Sequence, residues 1–184
     1  MFRLTLLALP LLAACATEIP AETAQLPRDA VVGAGDPMRS AVFHTNSVFA
    51  QRSPAMGQPA AAARAIAEME FLAVDLPRNN NLSSPSATLV PDLVMARQEW
   101  RRVLDIAPDA PAQPVINALF AASRALEDGQ PAAAAAALPS SIFRKGGAAT
   151  IAQLSALPRL PNTAMAAATA QQSLQPTTGG RLSL

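Results

Sequence analysis

Few residues in this chain of 184 have the types and spacing that catalysis or metal binding requires. His44 is the single histidine, and no carboxylate lies near it in sequence, so a metal site there would have to recruit distant ligands. An imidazole changes charge near neutral pH, which would suit a general base or a pH-sensitive contact. The alternative is a hydrogen-bonded histidine on a partly buried helix surface, and we expect this second arrangement.

Two carboxylates, Glu68 and Glu70, lie close together in sequence but are poorly placed for joint catalysis. In a helix, residues two positions apart point to different sides, so the pair does not suit a two-carboxylate hydrolase. The metalloprotease, thiol-redox, nucleophile-elbow and phosphate-loop motifs are absent, and Gly33-Ala34-Gly35 lacks the third glycine of a dinucleotide-binding turn. The sequence therefore predicts a non-enzymatic protein with no cofactor and no metal.

The stretch 97–102, Arg-Gln-Glu-Trp-Arg-Arg, could bind an anionic ligand or a glycan. Trp100 falls on the apolar stripe of a predicted helix, however, and the arginines flank it, so a core tryptophan beside a solvated face is the favoured interpretation. Arg101 and Asp105 are four residues apart and are expected to pair. The candidate binding surface comprises His44, Arg97, Trp100, Arg101 and Arg102.

The first 15 residues carry the strongest functional signal. Arg3 precedes an apolar run over 4–14 that only Thr5 and Pro10 interrupt, and the chain turns polar directly after Cys15. This order is typical of a signal peptide. The run is also shorter than the roughly 20 apolar residues that a membrane-spanning helix needs.

The stretch Leu12-Ala13-Ala14-Cys15 resembles the lipobox of bacterial lipoproteins. The resemblance implies cleavage between Ala14 and Cys15, a diacylglyceryl group on the Cys15 sulfur, and acylation of the new amino group. Ala16, where an Asp tends to retain such proteins at the inner membrane, implies the outer membrane with the domain facing the periplasm.

The alternative is an ordinary cleaved signal peptide in which the cysteine occurs by chance. Cys15 is the only cysteine, so the chain can form no internal disulfide. A lone free thiol would be unusual in an oxidising compartment, whereas lipidation caps the sulfur. The cysteine count therefore favours the lipoprotein interpretation.

Charge and length constrain the partners. Removal of residues 1–14 leaves 184 − 14 = 170 residues, enough for one domain with a core. It also removes Arg3, which leaves 14 − 1 = 13 basic and 13 acidic side chains. A net charge of zero does not suit nucleic-acid binding, which needs a strong positive field. The expected partners are the membrane, through the lipid at Cys15, and another envelope protein.

Composition predicts an all-α fold. Ala, Leu, Met, Gln and Arg are frequent, Tyr is absent, and no alternating or hairpin pattern is visible. We predict an irregular bundle of five to seven helices over 36–174. It follows a signal peptide (1–14) and a lipidated cysteine with a flexible linker (15–35), and it precedes a disordered tail (175–184). The linker prediction depends on a segment that is acidic, contains proline and is poor in large apolar residues.

Apolar spacing and breaker residues locate the helices. The first is expected to begin at an Asp36 N-cap, run to about residue 51 and bury Phe43 among other apolar side chains. The remaining segments are 59–76, a helix opened by Pro91, a helix closed by Gly129, 131–138, 147–157 and 162–174, with Asn162 as the N-cap of the last. A polar connection over 78–88 is either mobile or functional.

Three functions remain open from the sequence. The leading one is a lipid-anchored periplasmic domain that binds or assists another envelope component. The second is a module that binds a small molecule or a lipid in a cavity lined by Met and Phe. The third is a hydrolase assembled from distant residues, which would require His44 within about 3 Å of a serine or a carboxylate.

Overall fold

The computed structural model describes residues 22–31, 35–49, 57–78, 82 and 86–175. Within these ranges the chain forms seven α-helices and no strand, which confirms the all-α prediction. Cys15, the signal peptide and residues 176–184 lie outside the described residues, as do most residues of the polar connection. The helices are α1 (Pro37–Phe49), α2 (Pro59–Asp75), α3 (Leu89–Val103), α4 (Ala112–Glu127), α5 (Pro131–Ala136), α6 (Gly147–Ser155) and α7 (Pro161–Leu174).

Helix α2 lies at the centre and packs against α1, α3, α4 and α6. A helix buried on most sides needs small or apolar residues around its whole circumference. The sequence of α2 meets this need with a run of alanines, and their small side chains let the neighbouring helices approach closely. The buried alanines are Ala62, Ala63, Ala65 and Ala67.

Helices α3 and α7 form an antiparallel pair. The Thr169 hydroxyl donates to Asp92 at 2.9 Å, whereas the Thr163 hydroxyl donates to Glu99 at 2.7 Å. Asp92, near the start of α3, contacts a residue late in α7, whereas Glu99, later in α3, contacts a residue near the start of α7. The two helices therefore run in opposite directions. Helix α1 also packs against α7, and α5 packs against α4 and α6.

Two of the predicted helix ends are confirmed. Asp36 accepts a hydrogen bond from the Met38 N–H at 3.0 Å, as an N-cap should. Helix α4 closes at Gly129, whose φ of 69° is in the left-handed region that glycine favours. There the Gln130 N–H reaches back to the Ala125 carbonyl at 2.7 Å, which satisfies a carbonyl of the last turn.

Other details of the helices differ from the prediction. Helix α3 begins at Leu89, so Pro91 lies within its first turn rather than opening it. Helix α7 begins at Pro161, and the carboxylate of Glu99 from α3 caps its first turn, accepting from the N–H groups of Asn162 and Thr163. Asn162 is therefore not the N-cap, because a side chain distant in sequence takes that role.

Phe43 was expected on the buried side of α1 but is 48% exposed. The buried stripe of α1 faces α2 and α7, and the position of Phe43 falls just outside it. That stripe consists of Met38, Ala41, Val42, Thr45 and Val48.

The prediction of a flexible linker over 15–35 is wrong for residues 22–31. In the structure this stretch, hereafter the N-terminal segment, lies packed on the helices, and Ala24 and Ala30 are buried. The prediction depended on the acidic residues, the proline and the lack of large apolar residues, whereas small buried alanines and polar contacts hold this segment. Its contacts form part of the site described next.

Candidate functional site

A cluster of charged side chains around Glu70 joins α2 to α3. The Glu70 carboxylate is fully buried. It accepts hydrogen bonds from the Arg97 Nε at 2.8 Å and from the Trp100 Nε1 at 2.8 Å, and the Arg101 guanidinium is a third partner. Arg101 also donates to the Ala110 carbonyl at 2.9 Å. A buried carboxylate needs such partners, because an unpaired charge in the interior is strongly unfavourable.

Glu22 extends this cluster from the N-terminal segment. Its carboxylate accepts from the Arg97 Nη1 at 3.0 Å and from the Ala112 N–H, at the start of α4, at 2.5 Å. Arg97 thus bridges two carboxylates. Two arginines face two glutamates, which balances the charge of the cluster.

These contacts shift the pKa values of the outer members of the cluster. Partial burial raises the pKa of Glu22, but the hydrogen bonds from Arg97 and Ala112 and the charges of Arg97 and Arg101 outweigh it, and the pKa lies below its ordinary value. Burial likewise lowers the pKa of Arg97, and the charges of Glu70 and Glu22 reverse this and raise it. Both shifts favour the charged forms that the cluster requires.

A second cluster lies around Glu68. Since Glu68 and Glu70 are two residues apart, their side chains leave α2 in different directions, as the sequence predicted. Glu68 is buried and hydrogen-bonds to the Nδ1 of His44, while the Arg64 Nε donates to it at 3.1 Å. The His44 side chain is 32% exposed.

The juxtaposition that the hydrolase hypothesis requires is therefore present, since His44 lies against a carboxylate. A nucleophilic site also needs a hydroxyl or thiol on the imidazole. Among the described residues, no such group hydrogen-bonds to the His44 ring. Ser47, the nearest serine on α1, instead donates to the His44 carbonyl at 2.7 Å.

The structure divides the candidate binding surface into separate parts. Trp100 is fully buried, as expected of a core anchor. Arg97 and Arg101 are not a solvated face, because both reach inward to Glu70; Arg102 alone of the three is exposed. His44 belongs to the other cluster.

The expected Arg101–Asp105 pair does not form. Asp105 follows α3 in the left-handed region, with a φ of 52°, and its carboxylate contacts Arg144 instead. This backbone turn at the end of the helix places the Asp105 side chain outside the helical register on which the prediction depended. Arg101 pairs instead with the buried carboxylate of Glu70, where the lower dielectric strengthens the attraction.

The N-terminal segment lies along α4 and contains a short 3-10 helix at Arg28–Ala30. The side chain of Gln113 accepts from the Gln25 N–H at 2.7 Å and donates to the Gln25 carbonyl at 3.0 Å. Asp29 pairs with Arg124 at the surface, and the hydrogen bond from that guanidinium is the main cause that lowers the Asp29 pKa. Arg64 also donates to the Ala30 carbonyl at 2.6 Å, which links the segment to the Glu68 cluster.

A groove of about 600 Å³ lies between this segment and α4. Its walls carry the side chains of Gln113, Asn117 and Arg124 on one side and Leu26 and Pro27 on the other. Amides and a guanidinium line it, rather than the Met and Phe side chains that the small-molecule hypothesis expected.

The sequence contains one signal for the buried carboxylates. Glu68 and Glu70 interrupt an apolar run, 65–74, that a central helix would bury. Carboxylates are rarely buried without a partner, so both could have been expected to pair. The sequence gives no comparable signal for Glu22, because its partners depend on the tertiary fold.

In the part of the chain that the structure describes, no group of three or more His, Cys, Asp or Glu side chains is arranged to hold a metal ion. In the same part, every buried side-chain nitrogen and oxygen has a hydrogen-bond partner. None of the described helices combines the length and apolarity needed to cross a bilayer.

No protein-family model matches the chain, and neither the curated proteins nor the solved structures searched contain a match.

Proposed function

We propose that this protein is a lipid-anchored envelope protein whose helical domain faces the bacterial periplasm from the outer membrane. The observation that carries the proposal is the stretch Leu12-Ala13-Ala14-Cys15 behind a basic and apolar leader, together with the absence of any other cysteine. Each buried methylene contributes about 0.8 kcal/mol to membrane affinity, so two or three acyl chains hold a protein stably. The anchor accounts for localisation without a membrane-spanning helix.

We further propose that the domain is non-enzymatic and binds another envelope component. This is supported by the contacts of its buried carboxylates: Glu68 joins α2 to α1 through His44, and Glu70 joins α2 to α3 through two arginines. Such networks fix one arrangement of a domain, which then presents a defined surface. The described part of the chain offers exposed apolar side chains for contact with a partner, at Phe43, Val90, Val94, Met95 and Met165.

The anchor is tested by fractionation of cells that produce the natural chain or Cys15→Ser. The natural chain should sediment with the outer-membrane fraction of a density gradient, whereas Cys15→Ser should lose membrane association because no thiol is available for the lipid. Ser40→Ala, a change in α1 that leaves Cys15 intact, is the control. Equal sedimentation of Cys15→Ser and the natural chain would overturn the proposal.

A hydrolase is the second candidate, and the pairing of His44 with Glu68 favours it. The carboxylate would orient the imidazole, which would act as the general base towards a water or a hydroxyl. An activity screen with ester and amide substrates tests this, with His44→Gln as the critical variant. Turnover that disappears in His44→Gln would replace the non-enzymatic proposal; equal background rates would eliminate the hydrolase.

A further inference from the structure

The contacts of Glu22, the first residue that the structure describes, fix its position on the domain. Besides the bonds to Arg97 and Ala112, the Glu22 carbonyl accepts from the Arg78 Nη1 at 2.8 Å. Three elements therefore hold this residue: α3, the start of α4 and the short 3-10 helix at Leu76–Arg78. Glu22, hereafter the junction, is therefore a fixed point on the domain that is nearer to Cys15 in sequence than Asp36 is.

The distance between this junction and Cys15 is limited by covalent geometry. Glu22 follows Cys15 by seven positions in the sequence, 22 − 15. A chain spans at most about 3.6 Å per residue, which gives an upper limit of about 25 Å. Had the whole of 15–35 been a free linker, the limit would be about three times longer. The packed N-terminal segment therefore keeps the domain near any lipid at Cys15.

Exposed apolar side chains lie beside this junction. On α3, Val90 and Val94 precede Arg97 by seven and three residues, so all three share one side of the helix. Val90 and Val94 are 49% and 51% exposed, and neighbouring Met95 is 52% exposed. Exposed Arg102 lies two turns after Met95 on the same outward side. We define the α3 patch as Val90, Val94, Met95 and Arg102.

We propose that the α3 patch lies on the surface of the membrane that carries the lipid anchor. This inference rests on the proposed anchor at Cys15. The short connection keeps the exposed face of α3 close to the bilayer. Val90 and Val94 lie on the Arg97 edge of this face, and Met95 and Arg102 lie further round it. The valine and methionine side chains can enter the boundary between headgroups and acyl chains. Arg102 suits the phosphate groups of the same surface. The lipid anchor supplies most of the affinity, and the patch sets the orientation.

The orientation is measured with nitroxide labels on the lipidated protein in phosphatidylethanolamine–phosphatidylglycerol vesicles. Because the anchor blocks the Cys15 sulfur, only an introduced cysteine reacts. Val94→Cys and Met95→Cys report on the patch, and Ala132→Cys is the control, since it is exposed on α5, which packs on α4 and α6. We expect access of a water-soluble nickel chelate to be at least about threefold lower at 94 and 95 than at 132, with higher access of oxygen.

A second variant tests the role of the junction. Glu22→Gln removes the charge that Arg97 holds, so the start of the N-terminal segment should loosen, the connection to Cys15 should lengthen, and the difference between positions 94 and 132 should shrink. Equal nickel access at 94, 95 and 132 in vesicle-bound protein would overturn the inference and leave the anchor intact. Protection at 94 that persists in unlipidated Cys15→Ser protein without vesicles would also overturn it, because a second copy would then cover the patch. An unmodified Cys15 would instead refute the proposed function.

Discussion

Substitution Glu70→Gln should destabilise the domain more than any other conservative change of a carboxylate. Both Glu70 oxygens accept from Arg101, and one of them also accepts from Trp100 and the other from Arg97, so a glutamine must direct its NH₂ group at some of these donors. The change also leaves Arg101 without a buried counter-charge. Breaking a buried ion pair costs about 3–5 kcal/mol. Since Glu22 still pairs with Arg97, we expect the lower end, about 3 kcal/mol.

The loss is measured by urea unfolding of the unlipidated Cys15→Ser chain. Trp100 is the only tryptophan and is fully buried, so its fluorescence reports on the α2–α3 contact, while circular dichroism reports on the helices. A loss of about 3 kcal/mol corresponds to a fall in Tm of roughly 6–12 °C for a domain of this size. Glu127→Gln, at an exposed position of α4, is the matched control and should change stability by less than about 0.5 kcal/mol. The same small effect in Glu70→Gln would refute the view that this cluster holds α3 on α2.

Three further predictions concern other contacts. Because the Glu22 pKa is lowered from 4.5, its stabilising effect is complete above that value and is lost as the pH falls through the folded pKa. The Asp29 pKa is lowered as well, so acid titration should weaken both attachments of the N-terminal segment, and Glu22→Gln should remove only the part of this pH dependence that Glu22 contributes. Gly147→Ala should destabilise the domain by about 2 kcal/mol or more in urea unfolding, since an added Cβ would lie 1.9 Å from the Ala135 carbonyl oxygen. Glu99→Gln should cost about 1 kcal/mol through weaker capping of α7.

Each of these predictions has a control. An acid dependence that is identical in the natural chain and in Glu22→Gln would contradict the first. For the second, Gly57→Ala tests a glycine where a Cβ would meet nothing within 4 Å, so only the strain of its φ of 77° applies; a greater loss there than at 147 would count against the steric explanation. For the third, Gln98→Ala on the exposed surface of α3 should leave the free energy of unfolding nearly unchanged. A loss equal to that of Glu99→Gln would contradict the capping role of Glu99.

The sequence predicted those features that depend on neighbouring residues. The Asp36 cap, the stop at Gly129 and the burial of Trp100 follow from local side-chain chemistry and helical spacing, and each is confirmed. The all-α class follows from composition for the same reason.

Features that depend on distant partners could not be predicted in this way. Arg97 and Arg101 lie on the flank of an apolar stripe, which usually indicates a solvated face; their partner Glu70 is 27 and 31 residues away. The N-terminal segment was expected to be free because it lacks large apolar residues. Glu22 of this segment accepts from the Ala112 N–H on α4, which is 90 residues away, and no local pattern reveals such a contact.

The most direct test of the central claim is intact mass spectrometry of the mature protein extracted from membranes with detergent. The lipid-anchor proposal predicts that the chain begins at Cys15 and carries the mass of a diacylglyceryl group, with or without a further acyl chain on the amino group. A mature chain that begins elsewhere, or a Cys15 with an unmodified sulfur, would contradict it.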